Sequence, residues 1–345
     1  MQNLRHTLEH LLARRDLSEA KAGDLMVALT DAQLAPALSG ALLAALRAKG
    51  ETAAEVRGFA RAMRTLARRP NLSAAQDAID IVGTGGDASL SLNLSTGAAL
   101  LTAACGLAVV KHGNRSISSR SGSADLLEAL GLPMPLNESQ VELCLVETGF
   151  TFLFAPYFHP AMKNLSSVRA ALGIRTVFNL LGPLTNPAAP RFHLIGAFSA
   201  AAAELMANTL AGMEVARAWI VHGAAGWDEA TPIGPFLAFD VTRDRVTRHE
   251  VDPRDLGLAR CTPEDLAGGD AAVNLAALRD VFAGRDQGAH RDALVLQSGL
   301  ALFVAGRAAG IAEGIGHARF VLDSGQADEW LRKLSQVARQ LSGAP

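Results

Sequence analysis

Residues 79–131 hold the densest set of groups able to bind anions: IDIVGTGGDASLSLNLSTGAALLTAACGLAVVKHGNRSISSRSGSADLLEALG. A short apolar run, Ile79 to Val82, stops in Gly83-Thr84-Gly85-Gly86-Asp87. A strand that ends in glycines leaves backbone N–H groups free and lets the backbone approach a ligand closely. Asn93-Leu94-Ser95-Thr96 then opens an apolar helical stretch, Gly97 to Cys105. Its first N–H groups and hydroxyls favour an anion. A second buried strand, Leu107 to Val110, runs into a basic loop, Lys111-His112-Gly113-Asn114-Arg115, and a serine-rich turn to Ser123. From Lys111 to Arg120 there are three permanent cations, one histidine and no acid. Two anion-binding loops at two strand ends imply a ligand with more than one phosphate.

The glycine loop alone is a weak signal. Gly83 to Ala88 satisfies the loose pattern G-x-G-x-x-G/A, but a dinucleotide site expects an acid about 20 residues further on. None lies between Asp87 and Asp125, and no P-loop pattern occurs. A third strand end adds the missing chemistry. Trp219 to Val221 reads as a buried strand, followed by His222-Gly223-Ala224-Ala225-Gly226-Trp227-Asp228-Glu229. Mg²⁺ takes hard oxygen ligands, usually one or two carboxylates together with substrate phosphates. Asp228 and Glu229 supply adjacent carboxylates, and Ser95 a neutral oxygen. On its own the pair reads as a solvated turn. After a strand and a glycine, beside two phosphate loops, it reads as a metal site.

At these residues the chain resembles the anthranilate phosphoribosyltransferases of tryptophan biosynthesis. The resemblance is carried by GTGGD (83–87), NLST (93–96), KHGNRSISSRSGSADLLEALG (111–131), FLFAPYFHPAMK (152–163), VRAALGIRTVFNLLGPLTNPA (168–188) and VHGAAGWDE (221–229). It covers nearly the whole length and is densest from 79 to 229. It implies transfer of a phosphoribosyl group from phosphoribosyl pyrophosphate to anthranilate, in the second step from chorismate. It implies donor contacts at Gly83, Gly86, Asp87, Ser91, Asn93, Leu94, Ser95, Thr96, Lys111, His112, Gly113, Asn114, Arg115, Ser116, Ile117, Ser118, Ser119 and Ser123. It assigns the acceptor to Gly83, Asn114 and Arg169. It implies two Mg²⁺ ions, one on Ser95 and Glu229, the other on Asp228 and Glu229.

Each assignment is chemically sensible. Arg169 can pair with the acceptor carboxylate in bidentate fashion, and the Asn114 carbonyl can accept from the amine. An aromatic amine is neutral at pH 7, so no general base is assigned; His112 and His159 fit polar contacts or ordinary hydrogen-bonded histidines equally. The chain departs from the family pattern at Ala88, Ser91, Leu92, Ser167, Ala225, Trp227, Gln297 and Ser298. Those near the acceptor leave open another aromatic acceptor, or a pyrimidine nucleoside phosphorylase on the same fold. A non-catalytic nucleic-acid-binding relative would lack the carboxylate pair and show a broad basic face. The net charge of −2 argues against such a binder, and the carboxylate pair is present.

The elements that must position these loops read as an α/β fold. A small N-terminal helical domain, residues 1–70, precedes a large domain, 75–345, with a mostly parallel central sheet flanked by helices. Four helices are expected before Arg68-Arg69-Pro70. The resemblance implies that helices around 165–182 return to the N-terminal domain and that the N-terminal helices form a homodimer; internal packing alone would equally explain their alanine-rich faces. An antiparallel hairpin is expected around Thr242-Arg243-Asp244. Of 345 residues 49% are hydrophobic and only 5% aromatic, which gives an aliphatic, alanine-rich core. Cys105, Cys144 and Cys261 stand apart, as in a reducing cytoplasm. The longest largely apolar run, Gly97 to Val110, is 14 residues, too short for a membrane span, and the opening residues carry charges rather than a signal-peptide core.

Overall fold

A computed structural model describes residues 2–72, 75, 77–87, 89–116 and 120–343. Four helices open the chain: α1 (Gln2–Leu12), α2 (Glu19–Leu29), α3 (Pro36–Lys49) and α4 (Ala53–Leu66). Their starts follow from capping chemistry. Ser18 accepts from the Lys21 amide, and Thr52 with Glu55 forms a reciprocal capping box, each satisfying otherwise orphaned N–H groups.

The α/β part follows as β1 (Ile79–Gly83), α5 (Leu94–Ala104), β2 (Val109–Gly113), α6 (Ser123–Leu130), α7 (Glu138–Thr148) and β3 (Phe150–Phe154). Next come the short helices α8 (Ala155–Phe158), α9 (Ser166–Leu172) and α10 (Phe178–Leu181), then β4 (Phe192–Gly196), α11 (Ala200–Ala211) and β5 (Arg217–His222). The hairpin β6 (Phe236–Thr242) and β7 (Arg245–Val251) precedes α12 (Ala271–Phe282), α13 (Ala289–Val304), α14 (Ile311–Asp323) and α15 (Gln326–Leu341).

The strands form one sheet in the order β3-β2-β1-β4-β5-β6-β7. The first five are parallel and the last two antiparallel. Parallel strands are covered on both faces, which is why they read as apolar runs rather than alternating ones. One face packs on α5, α13 and the C-terminal helices. The other packs on α11 and α1–α4, and Leu165, Val168, Phe178 and Leu181 join that second cluster. The edge strand β7 is largely exposed and carries Arg245, Arg248, His249 and Glu250, charges that discourage a further strand from pairing there.

The chain winds from β1 through β2 to β3, then crosses back to place β4 on the other side of β1. Ligands of open α/β sheets sit at the carboxyl ends of strands flanking such a reversal. Gly83 and Gly196, the last residues of β1 and β4, are register partners at this crevice.

The sheet departs from the sequence reading in two places that bear on the site. The stretch at 192–196 carries no strand expectation, yet it is the central strand β4. His193 interrupts a run of only five residues there, and full burial of that histidine is a property of tertiary packing. Strand β2 also extends to Gly113, so Lys111 and His112 are strand residues pairing with Phe152 and Leu153 rather than part of a loop.

Candidate active site

Three strand-end segments meet at the β1/β4 crevice. The loop after β1 turns through Gly85 and Gly86, both at positive φ, a conformation glycine adopts without strain. Thr84 is fastened to the end of β4. Its N–H donates to the Gly196 carbonyl at 3.0 Å, and its hydroxyl accepts from the Phe198 N–H at 3.1 Å. The turn after β5 lies directly on both strand ends. A Cβ built on Gly196 would meet the Asp228 backbone oxygen at 1.4 Å, and one on Gly83 would meet Asp228 Oδ2 at 2.4 Å.

The two carboxylates of that turn sit on anion-binding groups. Asp228 Oδ2 accepts from the Gly85 N–H at 2.6 Å, and Glu229 Oε1 accepts from the Ser95 N–H at 2.9 Å, in the first turn of α5. Asp87 stands beside them, its Oδ2 accepting from the Asp228 N–H at 3.2 Å. Burial first, then the charge of Asp87, pushes the Asp228 carboxyl well above the carboxylate range. Burial and then Asp228 and Asp87 do the same to Glu229. Lys111 is the buried counter-charge. Its Nζ donates to the Ile81 carbonyl and lies 3.4 Å from Ser95 Oγ, and burial lowers its pKa to about 8. Asp80, also buried, accepts from the His112 N–H at 3.2 Å and from Asn186 Nδ2 at 2.8 Å.

This donor set fits a divalent cation shared with a ligand. Three carboxylates held close by the fold repel one another, and a cation relieves that repulsion. Among the described residues no three His, Cys, Asp or Glu side chains converge as a complete metal cage. Mg²⁺ characteristically completes such a partial set with substrate phosphates and water.

The remaining expected residues are placed as follows. Asn93 joins two elements, donating to the Ser121 carbonyl at 2.9 Å and accepting from Asn274 Nδ2 at 2.8 Å. Thr96 donates to Ser123 Oγ at 3.1 Å. Leu94 is fully buried. Ser91 shares a hydrogen bond with Ser89, 3.2 Å apart, and bridges to Ala267. A Cβ on Gly113 would meet the Phe152 ring at 2.9 Å. Asn114 Oδ1 accepts from the Arg115 N–H at 2.7 Å, and Arg115 pairs with Asp125 and Glu128. The Ser116 N–H donates to Asp125 at 3.1 Å. Ile117, Ser118, Ser119 and Ala88 lie outside the described residues. His112 and His159 each hydrogen-bond a backbone carbonyl, of Gly182 and Thr185, at 3.1 Å. A carbonyl only accepts, so each ring donates there, and burial pushes both pKa values down, to about 3 and about 4. Both rings are neutral.

Arg169 lies on α9, half-buried, 5.2 Å from the Phe178 ring centroid. Burial alone lowers its pKa; no acid among the described residues compensates it. The structure also brings in residues outside the expected set: Thr84, Asp80, Asn186, Asn274 and Arg175. An aspartate inside the apolar run IDIVG was a visible signal for Asp80, since a lone acid in a buried strand requires partners. Leu92 and Trp227 are buried in the core. Ser167 lines an open groove of about 640 Å³ between α3 and α9.

The chain is similar to known proteins over nearly its whole length. Residues 75–328 match the glycosyl transferase family α/β domain, and residues 5–67 match the helical bundle domain of the same family. An anthranilate phosphoribosyltransferase from Rubrobacter xylanophilus is 46% identical over 340 residues, 99% of each chain. The chain belongs to the anthranilate phosphoribosyltransferase family. The enzyme of that name from Thermus thermophilus superposes with a TM-score of 0.91 at 41% identity, over 96% of this chain and 99% of the other. The Saccharomyces cerevisiae enzyme in complex with phosphoribosyl pyrophosphate and Mg superposes with a TM-score of 0.88 at 28% identity, over 98% of both chains.

Gly83 is a backbone position where a side chain would reach the Asp228 carboxylate directly. Gly83→Ala pushes Asp228 off the loop, because its Cβ would lie 2.4 Å from Oδ2. A misplacement of about 1 Å costs up to about 100-fold in rate. The variant is expected to lose that order of kcat in initial-rate assays.

Proposed function

We propose that this chain transfers the phosphoribosyl group of 5-phosphoribosyl 1-pyrophosphate to the amine of anthranilate, as the enzymes it resembles are named to do. The products are N-(5-phosphoribosyl)anthranilate and pyrophosphate. The observation that carries the reading is the carboxylate turn: Asp228 on the glycine loop and Glu229 on the first turn of α5, at the carboxyl end of the sheet.

In the reaction the ribose C1–O bond to pyrophosphate breaks and a C1–N bond forms, and the amine loses one proton. Positive charge grows at C1 and negative charge on the leaving group, so the site must hold pyrophosphate rigidly and present the amine in line. The N–H groups of Gly85 and Ser95 already donate to carboxylate oxygens. They are anion receptors, and donor phosphates are their substrate-side partners. Ser95, Asp228 and Glu229 would hold Mg²⁺, with two ions as the proposed count, and the bound cation would supply positive charge against the departing pyrophosphate. Gly83, Gly86, Asp87, Ser91, Asn93, Thr96, the segment 111–119 and Ser123 complete the donor site. Gly83, Asn114 and Arg169 receive anthranilate. Burial makes His112 and His159 weak proton acceptors, and the aromatic ammonium formed on attack is acidic enough to lose its proton to water.

The helices α1–α4 and residues 165–182 form the proposed small domain, supported by their shared apolar cluster. The open groove of small residues on α3 and α9 supports a homodimer through these helices. No helix among the described residues is long and apolar enough to cross a membrane. The proposed compartment is the cytoplasm, where Cys105, Cys144 and Cys261, all free thiols, stay reduced.

The test is the loss of anthranilate fluorescence on adding phosphoribosyl pyrophosphate, with and without Mg²⁺. Rapid, Mg²⁺-dependent loss is expected, and chelation should stop it. Persistent fluorescence with the donor bound would move the reading to another acceptor.

A further inference from the structure

We propose that Arg175 is a positioning residue, a latch through which the acceptor-carrying segment α9–α10 holds the glycine loop in its phosphate-receiving shape. The inference rests on the function proposed above for the two halves of the site, but its geometry stands in the ligand-free chain.

Arg175 follows the left-handed Gly173 that ends α9. Its guanidinium lies 4.2 Å from the Phe198 ring centroid and donates to the Gly86 carbonyl at 2.6 Å. Phe198 is itself tied to the loop, since its N–H donates to the Thr84 hydroxyl at 3.1 Å. Arg175, Phe198, Thr84 and Gly86 therefore close a ring around the loop, and Asp228 braces the middle of it at Gly85. Gly86 is at positive φ and carries no side chain to hold it. Its carbonyl orientation sets the direction of the Asp87 N–H, because the peptide unit between them is planar.

The chemistry of the latch is suited to a charged ligand. No acid among the described residues pairs with Arg175, so its charge is uncompensated beside the proposed phosphate site. A guanidinium has five N–H donors in a fixed fork and can stack on an aromatic face while donating. A lysine retains the charge but neither the fork nor the stacking. Arg169 lies six residues earlier on the same segment, and its side chain packs on Phe178 rather than on the loop. The two arginines thus separate the roles. Arg169 serves the acceptor, whereas Arg175 couples the acceptor segment to the donor loop.

Two measurements on full-length Arg175→Gln, Arg175→Lys and Arg169→Ala test this. The first is amide hydrogen exchange of the ligand-free proteins. Exchange at residues 84–87 should rise about tenfold in Arg175→Gln, the scale of losing one charge-assisted hydrogen bond, and less in Arg175→Lys. It should not change in Arg169→Ala, nor in β4 of any variant. The second is calorimetric titration with Mg²⁺–phosphoribosyl pyrophosphate in the absence of acceptor. The dissociation constant should rise about tenfold in Arg175→Gln and stay within twofold in Arg169→Ala. Unchanged loop exchange in Arg175→Gln overturns the latch, as does a fall in melting temperature with donor affinity intact. Failure of the unmodified protein to bind the donor would instead remove the functional reading, leaving the exchange result to decide the latch alone.

Discussion

Replacing Asp228 with Asn and Glu229 with Gln together is expected to abolish Mg²⁺-dependent transfer while raising the melting temperature of the metal-free protein. The two effects have one cause. The fold holds Asp87, Asp228 and Glu229 close to one another, and burial followed by mutual repulsion raises the carboxyl pKa values of the last two. A carboxyl whose folded pKa is raised stabilises the fold while protonated. That contribution is complete below the unfolded value of about 4 and is lost as pH rises through the folded value. Neutral amides carry no such penalty. They retain acceptor oxygens for the Gly85 and Ser95 N–H groups, so the variant should lose little hydrogen bonding.

The difference in melting temperature, variant minus unmodified, should be near zero at about pH 4. It should grow to several degrees by neutrality, because stability follows the difference in protons bound. Adding Mg²⁺ with phosphoribosyl pyrophosphate should reverse the order, since only the unmodified protein gains by binding. Loss of rate by about 1,000-fold or more is expected in the fluorescence assay, consistent with removing the charges that offset a leaving pyrophosphate. A variant less stable than its parent at pH 7 without metal would show that the carboxylates serve packing rather than a cation.

Much of this site is visible in the sequence because it is contiguous. The glycine loop and the carboxylate turn each follow a short apolar run, and the NLST turn opens one. The helix caps at Ser18, Asn137 and Asp270 are legible for the same reason, as each is a local bond between a side chain and the next turn. What escapes depends on residues distant in sequence. Strand β4 is five residues long and contains His193, and its identity as a strand comes from lying between β1 and β5. Lys111 looks like a loop cation in sequence. It is buried because β2 continues under the loop and offers its amine the Ile81 carbonyl and Ser95. Asn186 and Asp80 are 106 positions apart and meet at 2.8 Å, a pairing no local pattern encodes. Arg175 lies inside a recognisable motif, yet only the fold shows that its partner is a carbonyl of the glycine loop.

Arg169→Ala is expected to weaken anthranilate far more than phosphoribosyl pyrophosphate. The guanidinium is half-buried over Phe178, and burial lowers its pKa with no acid among the described residues to offset the cost. An uncompensated, partly desolvated cation is a receptor for an anion, and a planar fork matches a carboxylate in bidentate geometry. Hydrogen bonds to charged groups contribute about 1.5–3 kcal/mol each, which corresponds to roughly 10- to 150-fold in affinity. The KM for anthranilate should therefore rise by about that range, while donor affinity measured without acceptor stays within twofold. Arg169→Lys should recover part of the loss, since it keeps the charge and loses the fork. Aniline separates the carboxylate from the ring. It lacks the carboxylate that Arg169 is proposed to hold, so its slow transfer should be equally fast in the unmodified enzyme and in Arg169→Ala. If aniline transfer fell as much as anthranilate transfer, Arg169 would be shaping α9 rather than reading a carboxylate. Equal loss of donor and acceptor affinity would place it with Arg175 instead.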